Sequence, residues 1–441
     1  MAQIPQSVIV HPSAVLSGTI EVPGDKSISH RIAMLAGLAS GTSKVDNFLQ
    51  SEDCINTLHA MEALGARSSV SEEGELTIQG MGGNLLEPAG ALNVGNSGTS
   101  MRLLAGIIAG HPLKIEMTGD DSLRTRPMSR IKEPLERMGA KIELTGERGT
   151  APITIHGGKL KAIDYMLPVA SAQVKSCVLL AGLFAEGTTS VTEPVPTRDH
   201  TERLLRAMGV PVIVEGNQIK IKGYGSEGPT LKARSFFVPG DFSSAAYWMV
   251  AVAARKKGTV TVKNVGLNPR RIAFLDVLKR MGASVEVKQS GDTGDAEPMG
   301  DVKISGSKLK GVEVGGADIA NLIDELPLVA AVAALAEGKT VIKNAAELRV
   351  KESDRIAAMA LNLRLFGVNV EETEDGMIIE GGSEIKPTGA VRSFGDHRIA
   401  MSMSILATYA TESAVINNVA CVDTSYPGFW DDLRKLGGHV E

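Results

Sequence analysis

The stretch "VPGDKSISHR", beginning at Val22, puts Lys26, Ser27 and Arg31 within six residues of one another just after a glycine. Gly24 lets the backbone turn, and Ser27 or Ser29 can cap a following helix. The free N–H groups of that helix start, with Lys26, make a site for a phosphate. Arg31 lies one helical turn beyond Ser27 and can close a fork on the same anion. The pattern is not a Walker loop, because the nearest upstream glycine, Gly18, stands six residues before Gly24 instead of five. The glycine pairs near Gly80 and Gly83 also fail the dinucleotide pattern.

Three further stretches place polar groups at helix starts. "VGNSGTSMR" (94–102) contains Asn96, Gly98 and Thr99 and runs into an apolar helix, which brings backbone donors close to a ligand. "ASAQVKS" (170–176) sets Ser171, Ala172, Gln173 and Lys175 just before the apolar run "CVLLAGL". "FGDHRIAMS" (394–402) sets Asp396, His397 and Arg398 at another such start. Helix capping alone would account for any one of them. Two carboxylates stand out, Asp324 in "NLIDELPLVAAVAAL" and Glu352 in "RVKESDR". The plain readings are an N-terminal cap and a surface ion pair. As general acid and base they need a shared cleft with cations that tune them.

The elements that position these groups repeat. The phrases "EALGARSSV", "ERMGAKIEL", "RAMGVPVIV", "KRMGASVEV", "RLFGVNVEE" and "RKLGGHVE" place Gly65, Gly139, Gly209, Gly282, Gly367 and Gly437 between a helix-period pattern and an alternating one. Each predicts a helix closed by a glycine that turns into a strand. Valine-rich strands such as "GTSKVDNF" and "GTVTVKNV" recur upstream. A spacing of roughly seventy to eighty-five residues is too long for a solenoid unit and predicts six small mixed α/β subdomains. A second copy of the turn, "VPGDFSSAAY", begins at Val238. If the two copies are crossings between lobes, residues 23–239 form one lobe and residues 1–22 with 240–441 the other. The alternative is two sequential domains cut near 240. Each polar loop between strand and outer helix could then line one cleft, bringing Arg126, Arg198, Lys351 and Arg355 together, or could be a solvated surface.

Composition narrows the classes. The 441 residues are 43% hydrophobic and 22% charged, with a formal charge of -5. That is a globular balance with no global basic field for nucleic acid or anionic membrane. Aromatics at 4% argue against base-stacking modules. Cys54, Cys177 and Cys421 show no paired spacing, which speaks against a structural zinc site and for a reducing compartment. The start shows no signal-peptide pattern and no apolar run reaches a membrane span, so a cytoplasmic protein, with nothing demanding more than a monomer, is expected.

Taken in order, "VPGDKSISHR", "GNSGTSMR", "LRTRPM", "SAQVKS", "TRDHTE", "LRVKESDR" and "GDHRIAM" resemble the 5-enolpyruvylshikimate-3-phosphate synthase family over nearly the full chain. The resemblance implies an α/β (α+β) fold of two lobes, each with three βαβαββ units, joined by two crossover hinges that let the lobes close on ligand. It implies transfer of the enolpyruvyl group of phosphoenolpyruvate to the 5-hydroxyl of shikimate 3-phosphate, with no metal and no organic cofactor. By the same resemblance Lys26, Ser27, Arg31, Ser171, Ala172, Gln173, Arg198, Asp324 and Lys351 hold shikimate 3-phosphate. Lys26, Asn96, Gly98, Thr99, Arg126, Gln173, Arg355 and Arg398 hold phosphoenolpyruvate. Asp324, Glu352 and Lys26 share the proton transfers, and His397 assists the leaving phosphate.

One departure points to the class II subgroup: "DTSYPGF" has Thr424 and Ser425 where some members carry a lysine. Members with Ala at the place of Gly98 tolerate glyphosate, so Gly98 implies sensitivity. The rival readings are a UDP-N-acetylglucosamine enolpyruvyl transferase, which would show Lys-Asn in place of Lys26-Ser27, and a non-catalytic anion-binding protein on the same fold.

Overall fold

A computed structural model describes residues 6–290 and 297–441. Residues 1–5, where the segment without a signal-peptide pattern begins, lie outside the described residues. The chain divides into two compact units, one built on Gly24–Val238 and the other on the chain up to Pro23 together with the chain from Pro239 onward. Each has its own hydrophobic core.

The Gly24–Val238 unit carries six helices: α1 (Lys26–Leu38), α2 (Glu52–Ala63), α3 (Gly98–Ala109), α4 (Ser129–Met138), α5 (Ala172–Gly182) and α6 (His200–Ala207). The other carries α7 (Phe242–Ala253), α8 (Ala273–Met281), α9 (Asp318–Leu322), α10 (Leu326–Leu335), α11 (Arg355–Leu365), α12 (His397–Ala407) and α13 (Phe429–Lys435). The apolar helix expected after Asp324 is α10, and a short helix, α9, precedes that residue.

Six four-stranded sheets share one topology. A short first strand runs parallel to the valine-rich strand, which pairs antiparallel with a third, which pairs antiparallel with the strand after the outer helix. In the second repeat these are Leu92–Asn93, Lys114–Thr118, Ile153–His156 and Lys141–Leu144. In two repeats the first strand comes from a distant part of the chain. Ser235–Phe237 pairs with Thr42–Asp46 in the first unit, and Gly18–Glu21 pairs with Thr259–Gly266 in the second. Each of these strands leads straight into a VPGD turn, and the chain then enters the other unit as α1 or α7.

Helices α1, α3 and α5 are buried on nearly every side and pack together as the centre of their unit, as α7, α10 and α12 do in theirs. An all-round apolar helix is stable only in such a place. Packing is tight enough that a Cβ on Gly106 of α3 would sit 2.2 Å from the carbonyl oxygen of Cys177 in α5. The outer helices α2, α4, α6, α8, α11 and α13 end at Gly65, Gly139, Gly209, Gly282, Gly367 and Gly437, all with φ between 78° and 115°. This left-handed backbone carries a penalty for any residue with a Cβ, so all six predicted helix stops are observed where expected.

Candidate active site

Because each inner helix begins at the end of a short strand, the groups at its N-terminus and in the loop before the paired outer helix lie at one end of each unit. In the Gly24–Val238 unit the inner helix starts carry Lys26 and Ser27 (α1), Gly98 and Thr99 (α3), and Ala172 and Gln173 (α5), while the outer loops carry Arg126 and Arg198. Three helix N-termini with basic residues nearby are groups that favour negative charge.

The cap of α1 is Asp25, whose Oδ1 accepts from the Ile28 N–H at 2.9 Å; Ser27 and Ser29 are not caps. Both lie inside the helix, where a side chain cannot reach forward to the orphan N–H groups; Ser29 instead accepts from the Leu49 N–H at 3.1 Å. Ser27 and Lys26 are half-buried, and Lys26 is ion-paired with the buried Asp53 of α2. Arg31 is buried, donating from Nε to Thr201 Oγ1 (2.7 Å), from Nη2 to Ser176 Oγ (3.0 Å) and from Nη1 to the Ser27 carbonyl (2.9 Å). Burial pushes its guanidinium down to about 10, against Glu202 and Asp25, so it stays charged at neutral pH.

Ser97 caps α3 and Ser171 caps α5. Gln173 bridges the two helix starts. Its Oε1 accepts from Arg102 Nη1 and its Nε2 donates to Thr99 Oγ1 at 3.0 Å. Arg126 donates to both the carbonyl and the side-chain oxygen of Asn96, and to Ser122 Oγ at 3.2 Å. Arg198 lies half-buried in the loop ahead of α6. Lys175, read as preceding the apolar helix, is inside α5 and fully buried.

The second unit collects the rest. Asp324 is not a cap, because α10 begins two residues later. Its carboxylate instead lies among three guanidinium groups: 3.7 Å from Arg355 Nη1, 3.7 Å from Arg398 Nε and 3.9 Å from Arg271 Nη1. Arg398 also donates from Nη1 to the Asp324 carbonyl at 2.9 Å. Arg355 is buried and binds Glu352 Oε2 through Nη2 (2.6 Å) and Asp396 Oδ2 through Nε (2.8 Å). Burial alone would lower the Arg355 pKa, but Asp396 and Glu352 more than offset it and hold the charge firmly. Burial likewise opposes the Arg398 charge, and Asp324 together with Tyr247, Glu325 and Asp241 outweighs it. Burial lowers Lys351, with Glu347 and Asp324 opposing. His397 is buried at the first position of α12, whose cap is Asp396.

Thus Asp324, Glu352, Arg355 and Arg398 form one connected charge cluster. Sequence reading missed Arg271, Arg102 and the bracing role of Asp396. Arg271 sits in "NPRR", the loop ahead of α8, equivalent by repeat position to the loops of Arg126 and Arg198, and that equivalence was the available signal.

A unit of three βαβαββ-like repeats, made twice and joined by crossover segments, is the enolpyruvyl transferase fold. The enolpyruvyl transferase NikO from Streptomyces tendae shares it at 19% identity, with a TM-score of 0.81 over 99% of this chain and 98% of that one. The narrower match is to "EPSP synthase (3-phosphoshikimate 1-carboxyvinyltransferase)", whose family model covers residues 10–433, and the chain belongs to that family. A 3-phosphoshikimate 1-carboxyvinyltransferase from Akkermansia muciniphila is 50% identical over 97% of this chain and 99% of its own length. One from Bacillus subtilis is 48% identical over 96% and 97%. The structure of EPSP synthase from Acinetobacter baumannii is 45% identical, with a TM-score of 0.85 over 99% of this chain and 100% of that one. The chain is therefore an enzyme, a carboxyvinyl transferase of the shikimate pathway, and the reading as a UDP-N-acetylglucosamine transferase falls away. Among the described residues no helix is long and apolar enough to cross a membrane.

Proposed function

We propose that the two clusters are the working parts of the family's reaction, in which phosphoenolpyruvate and shikimate 3-phosphate give 5-enolpyruvylshikimate 3-phosphate and phosphate. Residues 23–239 serve as one functional lobe and residues 1–22 with 240–441 as the other. Lys26, Ser27, Arg31, Ser171, Ala172, Gln173, Arg198, Asp324 and Lys351 bind shikimate 3-phosphate. Lys26, Asn96, Gly98, Thr99, Arg126, Gln173, Arg355 and Arg398 bind phosphoenolpyruvate. Two polyanions repel, so fixed cations must cancel that repulsion before the reacting atoms can approach.

The chemistry is addition followed by elimination. Glu352 donates a proton to the methylene carbon of phosphoenolpyruvate while the 5-hydroxyl oxygen bonds to C2, and Asp324 takes the hydroxyl proton. The tetrahedral intermediate then loses its phosphate, His397 assisting, as a methyl proton returns to Glu352 and the double bond re-forms. Lys26 shares in these transfers. Asp324, set among three guanidinium groups, is assigned the part of base, and Glu352, part-exposed and paired with Arg355, that of the acid which gives and takes back the proton.

The observation that carries this reading is Asp324 held among Arg271, Arg355 and Arg398, which neither a helix cap nor a simple anion binder requires. Thr424 and Ser425 in place of a lysine favour the class II subgroup. The test is phosphate release from phosphoenolpyruvate with and without shikimate 3-phosphate, for the wild type and Glu352→Gln. Release that depends on shikimate 3-phosphate and collapses in the variant supports the assignment. Release that survives the substitution removes Glu352 from it.

A further inference from the structure

On the sheet of the second unit's last repeat, Ser7–His11 lies between Ala414–Asn417 and His439–Val440. His11 is paired with His439, and the backbone of Glu441 exchanges hydrogen bonds with that of Ile9. Side chains alternate across a strand, so His439 and Glu441 share the face of His11, while Val10 and Val440 point into the core. The imidazoles stack, with centroids 4.2 Å apart at 17°. Glu441 Oε1 lies 3.2 Å from His11 Nε2 and 3.5 Å from His439 Nε2.

We propose that His11, His439 and Glu441 form a binding site for a divalent transition-metal ion of the Zn2+ class. One ligand atom from each lies within 4.8 Å of the others, and no other group of three His, Cys, Asp or Glu residues does so among the described residues. Two imidazoles and a carboxylate are a donor set that Zn2+ takes with a water in the fourth position. The ring of His11 is held in place, and the exposed ring of His439, stacked on it, turns about its side-chain bonds to aim its Nε2 at the same ion. The Nδ1 of His11 is bonded to Ser413 Oγ at 2.8 Å, the outer contact that fixes the tautomer of a metal-binding histidine. The Nε2 of His11 is buried and, though near the carboxylate, makes no hydrogen bond. A bound ion would satisfy that nitrogen and clip the edge strand to Ser7–His11. None of the three residues belongs to the reaction clusters.

The test is calorimetric titration of the full chain with ZnCl2 in a non-chelating buffer, with MgCl2 as the control because imidazoles disfavour a hard cation. We expect one saturable equivalent of Zn2+ and none of Mg2+. Zn2+ should raise the melting midpoint. His439→Gln should weaken Zn2+ binding at least tenfold and abolish the rise, and Ser413→Ala should weaken binding by about tenfold. His439 is exposed, so its metal-free melting point checks that the variant folds, and phosphate release should be unchanged. No saturable Zn2+ binding, or wild-type affinity in His439→Gln, overturns the proposal.

Discussion

The guanidinium of Arg355 is hydrogen-bonded through Nε to Oδ2 of the fully buried Asp396, 2.8 Å away, and Asp396 also caps α12 through the Arg398 N–H. One carboxylate thus braces the guanidinium of Arg355 and the backbone of Arg398, two of the three arginines assigned to phosphoenolpyruvate. Asn caps a helix about as well as Asp, so Asp396→Asn can keep the cap while removing the charge and the oxygen that accepts from Arg355 Nε. The variant should raise the KM for phosphoenolpyruvate by about tenfold, the loss of roughly one charge-assisted hydrogen bond, with a smaller change for shikimate 3-phosphate. Steady-state kinetics in both substrates checks this, and an equal loss for the two would contradict it.

Gly98 offers a second test. A Cβ built there lies 3.0 Å from Arg102 Nη1 and 3.5 Å from Arg126 Nη1. It would press on the two guanidiniums that hold Gln173 and Asn96, without meeting backbone. A methyl group in a ligand gap changes discrimination by about tenfold or more, and the movable arginine ends absorb part of the crowding. Gly98→Ala should therefore weaken glyphosate inhibition by about tenfold and raise the KM for phosphoenolpyruvate less. Inhibition curves that coincide for the two forms would end the idea.

Much of this was legible in the sequence because it rests on local rules. The six left-handed glycines, the Ser97, Ser171 and Asp396 caps and the valine-rich strands follow from neighbours in the chain. What was not legible depends on contacts made across the repeats. Asp324 reads as a cap until Arg271, Arg355 and Arg398, from three other segments, are seen around it. Ser27 reads as a cap until the helix is seen to start one residue earlier, on Asp25. Arg31 reads as a free clamp until Thr201 and Ser176 are found on its donors.

His30 supplies a pH-dependent stability. It is fully buried beside Thr57, with Nδ1 2.7 Å from its hydroxyl, and near Ser97 and Ser100 at the start of α3. Burial, with Lys26 and Arg31 nearby, holds its pKa well below the ordinary value of 6.5. Below that value the unfolded chain takes up a proton that the native ring refuses. The contribution is therefore complete above about pH 6.5 and falls with acidification, by up to about 1.4 kcal/mol per pH unit, until the native pKa is reached. Urea unfolding between pH 7.5 and 5 should show this slope, and His30→Asn should lessen it; an unchanged slope would assign the loss to other groups.

Lys175 is the final case, because it separates stability from binding. Its Nζ lies 2.8 Å from Glu202 and 3.2 Å from Glu193, and all three side chains are at most 1% exposed. Glu193 also accepts from the Thr197 N–H at 3.0 Å, which anchors the loop that carries Arg198. Removing the lysine leaves two buried carboxylates without their shared cation. Lys175→Met should thus cost about 3–5 kcal/mol in unfolding free energy, the range for breaking a buried pair from one side. Adding Glu193→Gln and Glu202→Gln should recover part of that loss, since the uncompensated charges are then gone. The loop is still less firmly held in the triple variant, so the KM for shikimate 3-phosphate should stay raised while stability returns. Denaturation midpoints and kinetics on the same three proteins decide it: if stability and KM recover together, the cluster supports the fold alone and does not position Arg198.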